Sequence, residues 1–297
     1  MLNAPHRERI ARELRRPVEP AVLAAAEAVR KRHGGSIDAI LYYGSCLRDG
    51  WRDDRILDFY VLVDRYRDAY ASRLAAMSNA LLPPNVFYLE TEFQDRTVRS
   101  KYAVMSLAAF ERGTSSAAFQ PTFWGRFAQP CALAFTRDDA VTTRIEQAVA
   151  NAATTMMDET RPLLPPQASS EALWTRAFAE SYRSELRAEW PQRGRDLYRA
   201  DRERYDALTA ALAASPARGS ARRARWRWRG RRVGGKLLSV LRLLKAAFTF
   251  TDGLDYILWK IGRHSGATLR PTPWQRRHPI LAAPVLAYRL YRRGGFR

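Results

Sequence analysis

The sequence predicts an α/β protein of the α+β type, in which helices pack on a short mixed sheet and a mostly helical region follows. Two short runs rich in β-branched and aromatic residues, Ile37–Tyr43 and Ile56–Val63, predict strands. Segments with apolar residues at helical spacing lie before and after these runs. The third observation is a strongly basic C-terminal segment with its own amphipathic pattern, which predicts a tail distinct from the body of the protein.

The first thirty-odd residues predict a helix that ends at Gly34-Gly35. One face of this helix is apolar and comprises Val22, Leu23, Ala26 and Val29. The first strand follows at once and ends abruptly at Gly44-Ser45. This order predicts a helix packed on one face of the sheet, with a tight turn at the end of the first strand.

The second strand is predicted after a polar, charged loop at Arg48–Arg55. It covers Ile56–Val63, and residues 66–82 then predict a helical stretch. Pro83-Pro84-Asn85 predicts a turn, because proline and asparagine favour turns and proline cannot continue a helix. The residues after this turn, Val86–Glu90, predict a third strand.

Two further strands, Lys101–Leu107 and Cys131–Phe135, complete the predicted sheet. We predict a loop between them, which contains Trp124-Gly125-Arg126. Asp138 and the acid after it predict the start of a helix, since negative charge is favourable at a helix N-terminus.

The chain has 297 residues and is 46% hydrophobic, which allows one or two folded domains. Pro162–Pro166 indicates a linker, and Ser169–Ala214 is helical and amphipathic with a break near Trp190-Pro191. We therefore predict an α/β domain at 1–160, a helical middle domain at 161–214 and a basic tail at 215–297. The two cysteines, Cys46 and Cys131, are too few for a disulfide framework and favour a reducing compartment.

The tail carries almost all of the net charge. From Ser215 onward there are 20 of the 50 basic residues but only two of the 30 acidic ones, which gives +18 of the net +20. The stretch from Arg218 to Arg232 contains eight arginines, and Trp226 and Trp228 lie among them. In the helical stretch that follows, one face is apolar and contains Leu237, Leu241, Leu244 and Phe248, flanked by Lys236, Arg242 and Lys245. This pattern is typical of an interfacial membrane anchor and predicts a polyanionic partner.

A candidate catalytic motif begins where the first strand ends. Tyr43-Gly44-Ser45 is followed on the next strand by Leu57-Asp58-Phe59. Glycine lets the backbone approach a triphosphate closely, and the Ser45 hydroxyl and nearby N–H groups can bind its oxygens. Asp58 on the neighbouring strand can hold Mg²⁺ in the same cleft. The layout resembles the polymerase-β-like nucleotidyltransferases, although Tyr60 stands where that superfamily usually has a second carboxylate.

A wider set of motifs resembles the mitochondrial-type phosphatidate cytidylyltransferase family, in matching order over roughly residues 40 to 190. The matching segments are Tyr43-Gly44-Ser45, Leu57 to Asp64, Lys101 to Ser106, Gly125 to Pro130 and Ser181 to Arg187. The departures include Gln129 in place of lysine and Glu185 in place of aspartate. The resemblance implies a nucleotidyltransferase domain, a winged-helix-like middle domain and a peripheral membrane enzyme. The arginine-rich, lysine-poor composition indicates a bacterial member.

The resemblance implies the following roles. Asp58, Lys101 and Glu185 are the expected catalytic residues, with Asp58, Asp64 and Glu185 as metal ligands. The expected nucleotide-binding residues are Gly44, Ser45, Tyr102, Arg126 and Arg187. For Asp58, Asp64, Glu185, Lys101 and the two arginines, a structural or solvated side chain is the alternative. The four histidines show no ligand spacing and are expected to be structural or on the surface.

The expected reaction joins CTP and phosphatidic acid to give CDP-diacylglycerol and pyrophosphate, with Mg²⁺ as cofactor. The expected location is peripheral, on the cytoplasmic face of the inner membrane, because the chain has neither a long apolar run nor a signal peptide. No obligate protein partner is expected. Two alternatives stay open: a nucleotidyltransferase acting on RNA or another acceptor, and a membrane-binding protein without activity. The leucine face of the tail favours lipid over nucleic acid.

Overall fold

The computed structural model describes residues 4–186, 192–212, 220–249 and 271–277, together with 254, 258, 282, 285, 286, 288 and 289. Within these residues the fold is α+β, as the sequence predicts. The sheet has five strands in the order β3-β4-β2-β1-β5. Strands β2 and β4 are parallel, and the other neighbours are antiparallel. The strands are β1 Ile37–Tyr43, β2 Ile56–Val63, β3 Asn85–Phe93, β4 Arg96–Ser106 and β5 Cys131–Thr136.

The helices of the first 160 residues precede, connect and follow these strands. They are α1 Ala4–Leu14, α2 Pro20–His33, α3 Ser45–Asp49, α4 Tyr66–Ala69, α5 Arg73–Leu81, α6 Leu107–Thr114, α7 Trp124–Phe127 and α8 Asp139–Thr160. Helix α8 begins where the sequence predicts it: the Asp138 carboxylate accepts a hydrogen bond from the Val141 N–H at 2.8 Å. This cap satisfies one of the free N–H groups at the helix start.

Three local predictions differ from the structure. The first thirty-odd residues form two helices instead of one, because Pro17 and Pro20 cannot continue a helix and Pro20 instead begins α2. The helical stretch at 66–82 divides into α4 and α5, and the Ser72 side chain caps the second. The segment with Trp124 is a single helical turn, α7, where a loop was predicted.

The β3–β4 hairpin is longer than the predicted strands. Its turn residues, Gln94 and Asp95, both have positive φ, as the turn of a two-residue hairpin requires. The strands on either side therefore stay paired from Phe93↔Arg96 back to Asn85↔Val104. Glutamine is not a strong signal for this turn, so the sequence did not reveal the outer half of the hairpin.

Helices cover both faces of the sheet. On one face, α2 packs through its buried Val22 and Val29 against residues such as Ile40 and Phe59. On the other face, α8 packs with the remaining core around Tyr60. Both clusters are continuous, so each side of the strands β1 and β2 is buried, which explains their nearly uninterrupted apolar sequences.

The later helices extend the second of these layers. They are α9 Ser170–Arg183, α10 Arg193–Ala200, α11 Arg202–Leu212, α12 Ala221–Thr249 and α13 Pro273–Arg277. Buried residues of α9, α10, α11 and α12 belong to the same core cluster as α8. The predicted divisions at 160/161 and 214/215 stay predictions.

Helix α12 contains the residues predicted as the basic, tryptophan-rich part of the tail. One stripe of the helix is buried against the body and comprises Ala224, Trp228, Arg231 and Gly235. The Trp228 indole N–H donates to the Glu159 carbonyl at 2.9 Å, and its ring packs edge-on against Trp124. Only Trp226 of the two predicted anchors is exposed, at 62%, whereas Trp228 is 1% exposed. Trp228 and Arg231 are therefore core residues, which corrects the interpretation of this stretch as entirely interfacial.

The outer face of α12 is apolar and exposed at Leu237, Leu241 and Leu244. Over the residues that the structure describes, no helix is long and apolar enough to span a membrane. The Phe248 side chain, the Trp190-Pro191 break, Arg187 and most of the tail beyond residue 249 lie outside the described residues.

Candidate active site

A polar cavity of about 330 Å³ lies where strand β1 ends, between the sheet and helices α7 and α9. Its size is within the range of small-molecule pockets in proteins. Most of the residues that the sequence predicts for the site contribute to its lining: Gly44, Ser45, Asp58, Lys101, Arg126 and Glu185. The structure thus brings together side chains from segments far apart in the sequence.

The register of the sheet explains how three of these residues meet. Tyr43, the last residue of β1, is paired with Asp58 of β2, and Asp58 is paired with Lys101 of β4. Gly44 follows directly at the end of β1 and has φ +93°, in the region that favours glycine. A Cβ at this position would lie 3.1 Å from the Asp58 Oδ2 atom. Glycine therefore permits both the turn and the close approach of the turn to the carboxylate.

Two carboxylate–cation pairs line the cavity. Lys101 Nζ lies 3.2 Å from Asp58 Oδ1, and Arg126 Nη2 lies 3.5 Å from Glu185 Oε1. All four side chains are partly buried. In such surroundings an ion pair is screened less by solvent than on an open surface, so both pairs help to hold the lining side chains in place.

Arg126 is fixed by aromatic rings as well as by Glu185. Its guanidinium donates to the Tyr43 hydroxyl at 3.3 Å and lies 5.9 Å from the centre of the Tyr60 ring. Burial alone would lower the pKa of Arg126, but Tyr60, Tyr43 and Glu185 outweigh burial and raise it well above its ordinary value. Burial also raises the pKa of the Tyr43 hydroxyl, which therefore stays neutral. Tyr60 thus forms part of an aromatic support for the arginine.

Two cations that the sequence did not single out also line the cavity, namely Arg48 of α3 and Arg193 of α10. Arg48 lies three residues after Ser45, in the first helical turn that follows Gly44. This short spacing from the motif is the feature of the sequence that could have assigned Arg48 to the site. Arg193 lies far from the motifs in sequence, and no feature of the sequence around it indicates a role in the site. Together with Lys101 and Arg126 they make four basic side chains against two acidic ones among the described residues of the lining, which favours an anionic ligand.

Two predicted site residues do not reach the cavity. Tyr102 is fully buried on the opposite face of β4 from Lys101, where its hydroxyl lies 3.2 Å from His33 Nε2 and its ring stacks on Phe87. Neighbouring residues of a strand point to opposite faces, so Lys101 and Tyr102 cannot share one site. The assignment of Tyr102 to the nucleotide site is therefore corrected.

Asp64 lies at the other end of β2 from Asp58. Asp64 directly follows the last residue of β2 and lies six residues after Asp58, about 20 Å away at the usual rise of a strand. Asp64 is exposed beside Arg65, whose Nε lies 3.6 Å from its Oδ2 atom. Asp64 therefore cannot hold the same metal ion as Asp58, which corrects that prediction. Arg187 lies outside the described residues.

The two remaining acidic residues, Asp58 and Glu185, have the kind of oxygen atoms that bind a magnesium ion. Mg²⁺ prefers oxygen ligands and usually keeps several waters or substrate phosphates. Asp58 and Glu185 offer such oxygens, and the missing Cβ of Gly44 leaves space beside the Asp58 carboxylate. No cluster of three or more His, Cys, Asp or Glu ligands occurs among the residues described. A magnesium ion would accordingly depend on oxygens from the bound substrate and from water.

The two histidines that the structure describes, His6 and His33, do not line the cavity. His33 is partly buried on the other face of the sheet, where its Nδ1 atom lies 3.0 Å from the Ala69 carbonyl. His6 is also buried, with Nε2 3.4 Å from the Ala150 carbonyl. Burial lowers the pKa of both, so each is neutral at pH 7. This confirms the structural role expected for these two, while His264 and His278 lie outside the described residues.

Comparisons with known proteins add no identification. No protein-family model matches the chain, and no curated protein is similar to it at a significant level. The fold and the cavity define the protein only by class: an α+β protein whose mixed sheet ends at a charged cavity built around a glycine turn.

Proposed function

We propose that this chain is a phosphatidate cytidylyltransferase, which transfers the cytidylyl group of CTP to phosphatidic acid at a membrane surface. One observation carries the proposal: the Gly44-Ser45 turn, Asp58 and Lys101 line a single cavity. This is the arrangement that the sequence motif required for triphosphate and metal binding. The choice of CTP comes from the motif resemblance, and no contact in the cavity selects cytosine.

The triphosphate would lie against the glycine turn. In this position the Ser45 hydroxyl and the backbone N–H groups of the turn donate to phosphate oxygens. Lys101 and the additional cations Arg48 and Arg193 reduce the negative charge of the triphosphate and of the pyrophosphate that leaves. Arg126, held by Tyr43 and Glu185, provides a fixed, planar donor for a phosphate group.

Asp58 and Glu185 would hold Mg²⁺. When bound there, the ion would neutralise the charge that develops on the α-phosphoryl group and the leaving pyrophosphate. When no ion is bound, Lys101 and Arg126 balance these carboxylates, so that neither acid is left unpaired in a partly buried cavity.

The reaction needs no general base. A phosphate oxygen of phosphatidic acid, already anionic, attacks the α-phosphorus of CTP, and the bond from that phosphorus to the bridging oxygen of pyrophosphate breaks. Catalysis then consists of holding two anions in line, which cations and backbone N–H groups can do. The described lining of the cavity contains cations and carboxylates but no histidine, in agreement with such chemistry.

The exposed leucine face of α12 supports action at a membrane. Leu237, Leu241 and Leu244 are partly or largely exposed, on a helix that belongs to the strongly basic segment. An apolar helical face next to many cations favours the surface of an anionic leaflet. The peripheral location on the inner membrane is part of this proposal.

The decisive test is incubation of the protein with phosphatidic acid, Mg²⁺ and each labelled nucleoside triphosphate in turn. We expect labelled CDP-diacylglycerol with CTP only. Asp58→Asn should lower turnover by at least about a hundredfold, because it removes a metal-binding charge at nearly constant shape. Asp64→Asn is the matched control and should leave turnover unchanged, since Asp64 lies at the far end of β2.

Two results would contradict the proposal. Extension of RNA ends in place of lipid would show that the acceptor is a nucleic acid. Lipid binding without any turnover, and without a response to Asp58→Asn, would indicate a membrane-binding protein that has no catalytic site.

A further inference from the structure

A second cavity of about 300 Å³ adjoins the first. Both cavities are lined by Tyr43, Lys101, Arg126 and Glu185. A ligand in the second cavity would therefore lie directly beside a triphosphate in the first, on the other side of these four side chains.

The walls of the second cavity differ in character from those of the first. One wall comes from the sheet and includes Tyr60, Val86 and Ala103, and the opposite wall comes from α12 and includes Leu243 and Ala246. Most of this lining is apolar, which suits hydrocarbon better than a nucleotide. Leu186 and Leu243 line the cavity and are also exposed, so they mark its mouth.

Two cations of α12 line this largely apolar space. Arg242 and Lys245 are three residues apart, so they lie next to each other on the helix surface. Arg242 donates through Nε to the Pro83 carbonyl at 3.0 Å, and Lys245 donates to the carbonyls of Leu82 and Pro84. The loop before β3 thus holds both cations in place at the cavity.

The electrostatics of this pair favour an anion. Burial lowers the pKa of Arg242, and burial together with the neighbouring charge of Arg242 lowers the pKa of Lys245 to about 8. Two adjacent positive charges with little water around them are unfavourable by themselves. An anionic group between them would offset this cost, and such arrangements are common at functional sites.

We propose that the second cavity is the acceptor site, in which Arg242 and Lys245 bind the phosphate headgroup of phosphatidic acid and the apolar walls contact its acyl chains. The acyl chains would leave through the mouth at Leu186 and Leu243, on the same helix that carries the exposed leucines. This inference rests on the proposed function, because it assigns the acceptor of the same reaction. It also explains why α12 carries both the membrane-facing leucines and cations that face inward.

The binding test uses dihexanoyl phosphatidic acid below its micelle concentration, so that membrane attraction does not contribute. Isothermal titration calorimetry of the full chain should show that Arg242→Gln/Lys245→Gln binds this lipid at least about tenfold more weakly than the unmodified protein. The matched control, Arg229→Gln/Lys236→Gln, removes two exposed charges from the same helix and should bind it normally. CTP binding should be unchanged in both double variants.

A second pair of variants avoids any effect on the loop that Arg242 and Lys245 contact. Leu243 and Leu237 are 63% and 60% exposed on α12, but only Leu243 lines the cavity. Leu243→Glu should weaken binding of dihexanoyl phosphatidic acid about fivefold or more by like-charge repulsion at the mouth. Leu237→Glu should leave it unchanged.

Two further ligands separate the contribution of the phosphate headgroup to binding from that of the acyl chains. Glycerol 3-phosphate has the phosphate without the chains and should bind more weakly than the lipid, with the same dependence on Arg242 and Lys245. Dihexanoyl phosphatidylcholine has the chains without a phosphomonoester and should not bind detectably. Equal binding of phosphatidylcholine and phosphatidic acid would overturn the assignment of the cations to the headgroup.

The outcomes separate this inference from the proposed function. If Arg242→Gln/Lys245→Gln turns over with an unchanged KM for phosphatidic acid, the second cavity is not the acceptor site. The proposed enzymatic function would still stand in that case. Binding of phosphatidic acid that depends on both cations, without CTP-dependent turnover, would keep the site and reject the function.

Discussion

At the residue scale, Gly44 shows how one position can combine a backbone and a side-chain requirement. Its φ of +93° is unfavourable for other residues, and the space where a Cβ would lie is next to Asp58. Gly34 has a similar φ of +61°, but nothing lies within 4 Å of its missing Cβ. Comparing substitutions at Gly44 and Gly34 therefore separates the cost of backbone strain, which both share, from the effect of a side chain next to the Asp58 carboxylate, which only Gly44 has.

We expect Gly44→Ala to lower the free energy of unfolding by about 1 kcal/mol and to weaken CTP binding about tenfold or more. Gly34→Ala should have a similar cost in stability without an effect on CTP. Urea denaturation and calorimetry measure the two quantities. Normal CTP binding by Gly44→Ala would show that the turn does not contact the nucleotide.

Lys245 gives a pH prediction because its pKa lies near 8. Below this pH the amine is charged and can bind a phosphate, and above it the charge is lost in the free protein. Affinity for phosphatidic acid should therefore fall as pH rises through about 8, relative to a variant that keeps its charge. Lys245→Arg is that variant, since arginine stays protonated throughout this range.

The measurement is the ratio of the affinities of the unmodified protein and Lys245→Arg for dihexanoyl phosphatidic acid between pH 7 and 9. Taking the ratio removes the titration of the lipid phosphate itself, which is common to both proteins. A ratio that does not change with pH would place the Lys245 amine away from the bound phosphate.

At the element scale, α12 has two faces with different partners. Its inner stripe at Trp228 and Arg231 belongs to the core, while Leu237, Leu241 and Leu244 face outward. Basic composition alone could not separate them, because arginine occurs on both faces. The inner face is distinguished by what it meets in the tertiary structure: Glu159, Trp124 and the loop before β3.

The outer face predicts membrane binding. Leu237→Ser/Leu241→Ser/Leu244→Ser should reduce cosedimentation with vesicles that contain anionic lipid, because each exposed leucine contributes apolar area to the interface. Turnover of soluble dihexanoyl phosphatidic acid should not change. Leu23→Ser, at an exposed leucine of α2, is the control and should bind vesicles normally. Undiminished cosedimentation of the triple variant would exclude this face as the membrane contact.

At the scale of the whole molecule, Arg231 connects α12 to the end of α8. Its side chain is fully buried, its Nη1 lies 2.8 Å from Glu159 Oε2, and its Nε donates to the Phe119 carbonyl at 2.7 Å. The guanidinium also lies over the ring of Trp228. Burial lowers the pKa of Arg231, and Glu159 compensates this in part.

We expect Arg231→Ala to lower the free energy of unfolding by about 3 kcal/mol, because it removes one partner of a buried pair. Arg227 binds the same Glu159 at 2.7 Å but is partly exposed. Arg227→Ala should therefore cost less than about 1 kcal/mol. Denaturant unfolding of the two variants measures the difference, and equal costs would mean that burial of Arg231 contributes nothing extra.

The sequence by itself determined the α+β class, the cores of the five strands and the helix start at Asp138. These features depend on local patterns: alternating or continuous apolar runs, prolines, glycines and a capping acid. The sequence also predicted that Gly44, Ser45 and Asp58 lie close together. The turn and the next strand are near each other in sequence, and pairing of that strand with the first one brings Asp58 next to the turn.

Only the tertiary structure decided which distant residues complete the site. Asp64 and Tyr102 fit the motifs, yet strand length and alternation carry them away from the cavity. Arg193, Arg242 and Lys245 had no local signal that assigned them to a site, because their positions depend on how late helices pack against the sheet. A charge pattern in a sequence gives the number of cations but not the direction in which each one points, and direction is set by packing.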